Sequence, residues 1–389
     1  MRVPSDLLKT NYLREKKLYF TMKFIGVDSG ELYESQLIWC GKDGELLNVK
    51  SETPDKNKFI DKQFNGFWRY KFWLPPIKNK HIVGVGEAIT PLVNLELGGK
   101  TVAVKLDYLF LTGSYKDRGA AVLMSWVKQL GIKEVVQDSS GNAGASIAAY
   151  AALAGIKCTI FVPQDTSPTK LVQIKATGAN LVKVSGTRED AACAALQAAK
   201  NTYYASHCYN PVFFEGTKTF LFEVFEQLNF KMPDVLVLPA GNGTLILGCY
   251  IAAKQLIASG LAEKMPKIIA VQAQNCAPLA GFLKVKTLFS VEPTLAEGIA
   301  VKQPVRLKQM AEVVKNTGGE VITVTENEIK DTWKMLALKG FMIEPTSAAT
   351  ISGTIKYNLK NVTNQQVVTL FSGNGLKAAD KWLKVFKLL

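Results

Sequence analysis

Lys116, in the stretch LTGSYKDRGAA (111–121), is the residue of this 389-residue chain best placed to act as a nucleophile. It follows an alternating apolar run, TVAVKLDYLFL (101–111), and precedes a helix-like one, AAVLMSWVKQL (120–130). Asp117, Arg118 and Gly119 separate it from that second run. This is a strand-to-helix junction, where side chains at the strand ends of α/β sheets meet ligands. An amine held in a half-buried pocket loses its proton and attacks an aldehyde; on an exposed loop the same lysine is only a solvated cation.

Three polar, glycine-containing turns accompany it. In QDSSGNAGASIAAYAALAGI (137–156), Ser139, Ser140, Gly141, Asn142 and Ala143 lie where a strand hands over to a helix. Backbone N–H groups at that positive helix end make a seat for a carboxylate, and a plain N-cap would use the same residues. In VLVLPAGNGTLILGCYIAA (235–253), an apolar strand ends at Pro239 and runs into Gly241, Asn242, Gly243 and Thr244. Such a turn can wrap a phosphate or can simply reverse the chain. In VVTLFSGNGLKAAD (367–380), Ser372 stands at the end of a buried strand, as one presented hydroxyl or as a turn former.

The elements that must position these residues alternate. Apolar periodicity predicts strands near 101–106, 134–138, 158–162, 180–184, 234–238, 267–272, 321–324 and 366–371. It predicts helices near 119–130, 143–154, 168–177, 187–200, 217–228, 244–258, 326–339 and 346–358. Strand–helix alternation with apolar strands implies parallel sheets covered on both faces. The length exceeds one ordinary core. The expected fold is therefore α/β, with two domains, each a mainly parallel sheet flanked by helices, and the active site in the cleft. The boundaries drawn are an accessory segment 1–84 packed on the large domain, a large domain of 85–119 and 208–389, and a small mobile domain of 120–207. Within the accessory segment, LIWCGKDGELLNV (37–49) reads as two short strands around a turn, and WRYKFW (68–73) as a cluster that packs on the main body.

Composition narrows the chemistry. With only two histidines, His81 and His207, the composition argues against a histidine-rich metal site and against a Ser–His–Asp triad, and no metal is expected. The six cysteines are scattered without a CxxC and read as buried free thiols. The net charge of +14 is spread along the chain rather than gathered in a basic run, so it reads as a solvated lysine surface, not a nucleic-acid face. The longest uncharged apolar run, ASIAAYAALAGI (145–156), is too short to span a bilayer, and the first residues carry scattered charges with no apolar signal core. A cytoplasmic protein is expected.

Taken together, GSYKDRG, SSGNAGAS, the GNGT turn and FSGNGLK stand in the order found in the fold-type-II pyridoxal-phosphate enzymes, and the chain resembles the threonine synthase branch of that superfamily. WRY, GEAITPL, EGTKT (215–219) and EPTSAA (344–349) extend the likeness over roughly 65–380, while EGIAVKQP (297–304) looks more like the threonine dehydratase branch. The resemblance implies pyridoxal 5′-phosphate as cofactor, bound covalently at Lys116. It implies that Asn142 bonds the ring's phenolic oxygen, that Gly241, Asn242, Gly243 and Thr244 cradle the phosphate, and that Ser372 faces the ring nitrogen as a neutral partner. It assigns Ser139, Ser140, Gly141, Ala143, Asn210 and Lys218 to the substrate, a small amino acid, possibly phosphorylated. It implies threonine synthase activity on O-phosphohomoserine in a homodimer; a threonine or serine dehydratase and a β-replacement synthase such as cysteate synthase are the alternatives. The chain departs from the branch in two places. Ala143 stands where a Thr is usual, and Phe213 where an Arg helps hold the substrate phosphate. Lys170, Arg188 and Lys218 are the cations that remain for that role.

Overall fold

The computed structural model describes residues 22–34, 37–50, 52–284, 291–361 and 363–386, the side chain of Lys170 excepted. The chain forms two compact units, Met1–Glu87 with Lys116–Thr217, and Ala88–Tyr115 with Lys218–Leu389. In this division the described part of 1–84 groups with 116–217 rather than with 208–389.

The first unit is built on four parallel strands in the order Asn180–Val184, Lys157–Pro163, Glu134–Gln137, Tyr203–Tyr204. Helices Lys116–Gln129, Asn142–Ala154, Pro168–Ala176, Arg188–Ala198 and Pro211–Thr217 accompany them. Local signals set their ends. Gly155 takes a left-handed φ of 69° and closes the second helix, and a Thr187–Asp190 capping box opens the fourth. A small antiparallel sheet pairs Phe24–Gly26 with Leu32–Tyr33 and Leu47–Val49. This corrects the reading of 37–49 as two strands. Only Leu47–Val49 is extended into a ladder, because Trp39 leaves the sheet to pack edge-on against Tyr204 and Tyr209 at 5.0 and 5.8 Å. The WRYKFW stretch is a 3-10 segment, Gly66–Trp73, with Phe67, Trp68, Tyr70 and Trp73 buried.

The second unit carries a six-stranded sheet in the order Val321–Val324, Lys267–Ala273, Val235–Pro239, Val367–Leu370, Lys100–Lys105, Leu92–Leu97. All neighbours are parallel except the last pair. Its central strands, VLVLP and VVTL, are buried at every residue, as strands covered on both faces must be. One charged pair lies inside: Lys105 Nζ sits 2.7 Å from Glu223, both side chains without solvent exposure. Every strand and helix predicted over 101–371 is present; among the described residues, strands Phe24–Gly26, Leu32–Tyr33, Leu92–Leu97 and Tyr203–Tyr204 and helices Pro211–Thr217, Pro278–Phe282, Leu307–Asn316 and Ala379–Phe386 are additional. No helix among the described residues is long and apolar enough to cross a membrane.

Candidate active site

In the first unit Lys116 is the opening residue of helix Lys116–Gln129 and is half-buried. Two glycines allow that helix to be held from the side. A Cβ on Gly216 would lie 2.1 Å from the Arg118 carbonyl oxygen, and one on Gly119 would lie 2.4 Å from the Phe213 ring. The EGTKT stretch therefore packs backbone to backbone against the turn that carries Lys116. Asp117 accepts the Ser146 hydroxyl at 2.5 Å, which links this helix to the SSGN helix.

The SSGN turn is fastened from behind. Gln137 Oε1 accepts the amides of Asp138 and, at 2.7 Å, Ser139. The Gly141 amide donates to Ser139 Oγ at 3.2 Å, and Asn142 begins the helix. The turn folds so closely over that helix that a Cβ on Gly144 would lie 1.8 Å from the Ser139 carbonyl oxygen. Two of the predicted substrate donors, the amides of Ser139 and Gly141, are thus spent inside the turn. Ala143 is buried and brings no hydroxyl.

His207, which sequence reasoning used only to exclude metal and triad chemistry, lies fully inside this unit. Its Nδ1 is 3.5 Å from Gln137 Nε2 and its Nε2 is 3.2 Å from Cys208 Sγ. Burial holds its pKa well below the ordinary histidine range, and the charges of Lys116 and Arg188 push the same way. Asn210 is also fully buried: its amide nitrogen donates to Tyr203 Oη at 2.8 Å and its oxygen accepts the Val212 amide at 3.2 Å. These bonds shape the loop. Phe213 is inaccessible to solvent and meets the His207 ring edge-on at 6.1 Å.

In the second unit four motifs converge. Gly243 takes a φ of 79° to swing the chain into helix Thr244–Ala258. Gly241 lies against the EGIA segment, where a Cβ would come within 2.9 Å of the Gly298 carbonyl oxygen. The Gly298 amide donates to Thr346 Oγ1 of EPTSAA at 3.2 Å. Ser347 Oγ of the same motif accepts the Ser372 amide at 2.8 Å. Lys218 precedes helix Thr219–Gln227, is fully buried, and has its ammonium 5.9 Å from the Phe222 ring centre.

The segment leading to Lys116 is tied to both turns of this unit. Ser114 bridges Gly373, the Tyr115 amide donates to the Ser372 carbonyl at 3.0 Å, and Tyr115 Oη lies 2.8 Å from Thr244 Oγ1. Lys116 is the next residue in the chain. Tyr115 was not singled out from sequence; its position beside the lysine was the available signal.

These residues fit a phosphorylated aldehyde cofactor. The GNGT turn opens a 15-residue helix whose N-terminus favours a dianion, and its glycines let it pack closely on the protein, a Cβ on Gly241 lying 2.9 Å from the Gly298 carbonyl oxygen and one on Gly243 2.5 Å from Met310 Cγ. Ser114 Oγ, fully buried, has no hydrogen-bond partner among the described residues. No group of acidic, histidine and cysteine side chains among them is arranged to hold a metal ion.

Comparison with known proteins agrees. The model of the pyridoxal-phosphate dependent enzyme family matches residues 83–373, and the chain belongs to that family. Its cofactor is pyridoxal 5′-phosphate, and its chemistry is that of a lyase acting on an amino acid. The threonine synthase of Methanocaldococcus jannaschii is 32% identical, with 91% of this chain and 92% of the relative aligned. That of Synechocystis is 31% identical over 80% and 82%. Among solved structures, a serine racemase from Dictyostelium discoideum superposes with a TM-score of 0.62 at 27% identity, covering 74% of this chain and 92% of the other. The processed form of threonine deaminase isoform 2 from Solanum lycopersicum gives 0.67 at 21% identity over 87% and 93%, which shows the shared fold-type-II architecture.

Proposed function

We propose that this chain is a threonine synthase, converting O-phosphohomoserine and water to threonine and phosphate. The observation that carries the proposal is the near full-length likeness to relatives of that name. The bound cofactor supplies an electron sink for the amino acid's α-carbon. The chain's own residues do the rest. Lys116 Nζ would hold the cofactor's aldehyde carbon and would serve as the general base and acid that takes the α-proton and returns protons. Asn142 would bond the ring oxygen, Gly241 to Thr244 would hold the phosphate, and Ser372 would meet the ring nitrogen. The turn of Ser139, Ser140, Gly141 and Ala143 seats the substrate carboxylate. Asn210 shapes the substrate loop, and Lys218 supplies charge for the leaving phosphate. Segment 120–207 closes over the substrate and keeps stray water out. The working form is a cytoplasmic homodimer.

One observation favours a second reading. Phe213 is fully buried and offers no cation where the resemblance leads one to expect an Arg, and a phosphate dianion prefers a bidentate guanidinium. A dehydratase, whose substrate carries no phosphate, has no need of one. The deciding experiment offers purified protein O-phosphohomoserine, threonine and O-phosphoserine with sulfite, and measures phosphate, ammonia and 2-oxo acid together. Phosphate and threonine in equal amounts from the first substrate support the synthase, and Lys218→Ala then lowers kcat/KM. Silence toward it, with 2-oxobutyrate formed from threonine, supports the dehydratase; consumption of O-phosphoserine only with sulfite supports the replacement enzyme.

A further inference from the structure

One aromatic of the WRYKFW cluster faces water. Phe67, Trp68, Tyr70 and Trp73 are buried, and Phe72 is 51% exposed. Two ammonium groups flank its ring, Lys71 Nζ at 5.1 Å and Lys58 Nζ at 6.0 Å from the centroid. Lys71 is fixed in place: its Nζ donates to Asn79 Oδ1 at 2.7 Å and lies 4.6 Å from the Phe64 ring centre and 3.6 Å from Asp61 Oδ2. The bond to Asn79 joins the ring to the 3-10 turn Asn79–His81. Gln129 pins the approach to that turn, accepting the Lys78 amide at 2.7 Å and donating to the Pro76 carbonyl at 2.8 Å, and so brings Lys128 of helix Lys116–Gln129 alongside. Lys58, Lys78 and Lys80 are exposed, and Lys128 is half-buried. Their convergence shows at His81, whose pKa is held below the ordinary histidine range by burial first and then by the charges of Lys80, Lys128 and Lys78.

Residues 55–81 carry seven lysines and arginines against two aspartates, Asp55 and Asp61, a surplus of five where an even spread of the chain's +14 would place about one. No basic run shows in the sequence because aromatic and polar residues separate the charges. The fold gathers Lys58, Lys71, Lys78, Lys80 and Lys128 around Phe72 and the turn beside it.

We propose that this face of the first unit binds single-stranded nucleic acid, its lysines meeting backbone phosphates and Phe72 stacking on an unpaired base. The proposal reverses the expectation of a merely solvated lysine surface, and it is independent of the catalytic reading. A positive surface that tracks the backbone and an aromatic platform that accepts any base are the two parts such recognition needs. With a lysine on either side of the ring, a stacked base has a cation within reach of each flanking phosphate. A bilayer surface fits less well, because an interfacial anchor needs several apolar side chains on one face, and the other rings of this cluster are turned inward. A duplex offers phosphates but no free base for the ring.

The test titrates the holoenzyme against a short, fluorescently labelled single-stranded RNA of mixed sequence by anisotropy over a series of salt concentrations. The matching duplex and phosphatidylserine vesicles are run alongside. Binding on the order of 10⁻⁵ M is expected at physiological salt, with a log–log salt slope of about −3 for phosphates met by Lys58, Lys78, Lys80 and Lys128. Phe72→Ala should weaken binding about tenfold and keep that slope. Lys78→Ala combined with Lys80→Ala should weaken it and cut the slope by about half. Both variants should keep the native cofactor content, which shows them folded. No binding at low salt, equal binding by Phe72→Ala and the native protein, or a preference for the duplex or the vesicles overturns the proposal, and none of these outcomes bears on the catalytic reading.

Discussion

Gly144→Ala is the sharpest probe of the SSGN turn. The added methyl would lie 1.8 Å from the Ser139 carbonyl oxygen, 2.9 Å from its carbon and 3.3 Å from Ile174 Cδ1, so backbone must move by more than an ångström. The carbonyl cannot swing aside alone, because the amides of Asp138 and Ser139 are held by Gln137 Oε1. Helix propensity returns about 1 kcal/mol for Gly to Ala, against about 1–3 kcal/mol for overpacking. The clash is with backbone rather than with a flexible side chain, so folding is weakened, and the kinetics are read on protein shown to be folded by circular dichroism. A misplacement of about 1 Å in a substrate-orienting group costs on the order of 10²-fold in rate. The expected variant keeps its cofactor, since the GNGT turn is untouched, and loses about that factor in kcat/KM. Steady-state kinetics beside cofactor content measured by alkaline release reads both. Native kcat/KM in a fully loaded Gly144→Ala protein would refute the claim that this turn seats the substrate.

Three other outcomes are expected. His207 is neutral in the fold and takes a proton once unfolded, near pH about 6.5, so stability should fall with acid below that pH by up to about 1.4 kcal/mol per unit. His207→Gln should flatten this slope in urea titrations at successive pH values, His81 being the one other histidine and partly exposed; an unchanged slope would mean that His207 is protonated in the fold. Glu223→Gln removes the carboxylate that lies 2.7 Å from the buried Lys105 and should cost about 3–5 kcal/mol, seen as a lower urea midpoint; a native midpoint would show that the pair is dispensable. Lys218→Ala should raise KM or lower kcat/KM for a phosphorylated substrate more than for serine, and equal effects on the two would place Lys218 in the packing alone.

Much of this was legible in the sequence because the signals are local. VLVLP and VVTL are apolar at nearly every position, and a strand covered on both faces requires that. The four turns stand at strand-to-helix junctions, which periodicity locates to within a few residues. Lys116 could be singled out because its neighbours mark such a junction. The network behind the turns was not legible. Glu344 and Ser347 entered only as part of the EPTSAA likeness, and the bridge of Ile343 to Asn374, with the Glu344 amide on the Gly373 carbonyl, brings them beside Ser372, 28 and 25 residues along the chain. Gly298 meets Gly241 across a gap in sequence about twice as long. The stretch 37–49 misled because the apolar residues before its glycine turn are placed by Trp39 packing on Tyr204 rather than by a second strand. Asn210 looked like a ligand contact by motif, while its described bonds go to Tyr203, Tyr204 and Val212.

The account turns on Lys116. Purified protein carrying its cofactor should be reduced with borohydride, digested, and the modified peptide sequenced by mass spectrometry. The account predicts a single cofactor-bearing peptide that contains Lys116, and a Lys116→Ala protein without turnover. A stable adduct on any other lysine, or full turnover by Lys116→Ala, would contradict it.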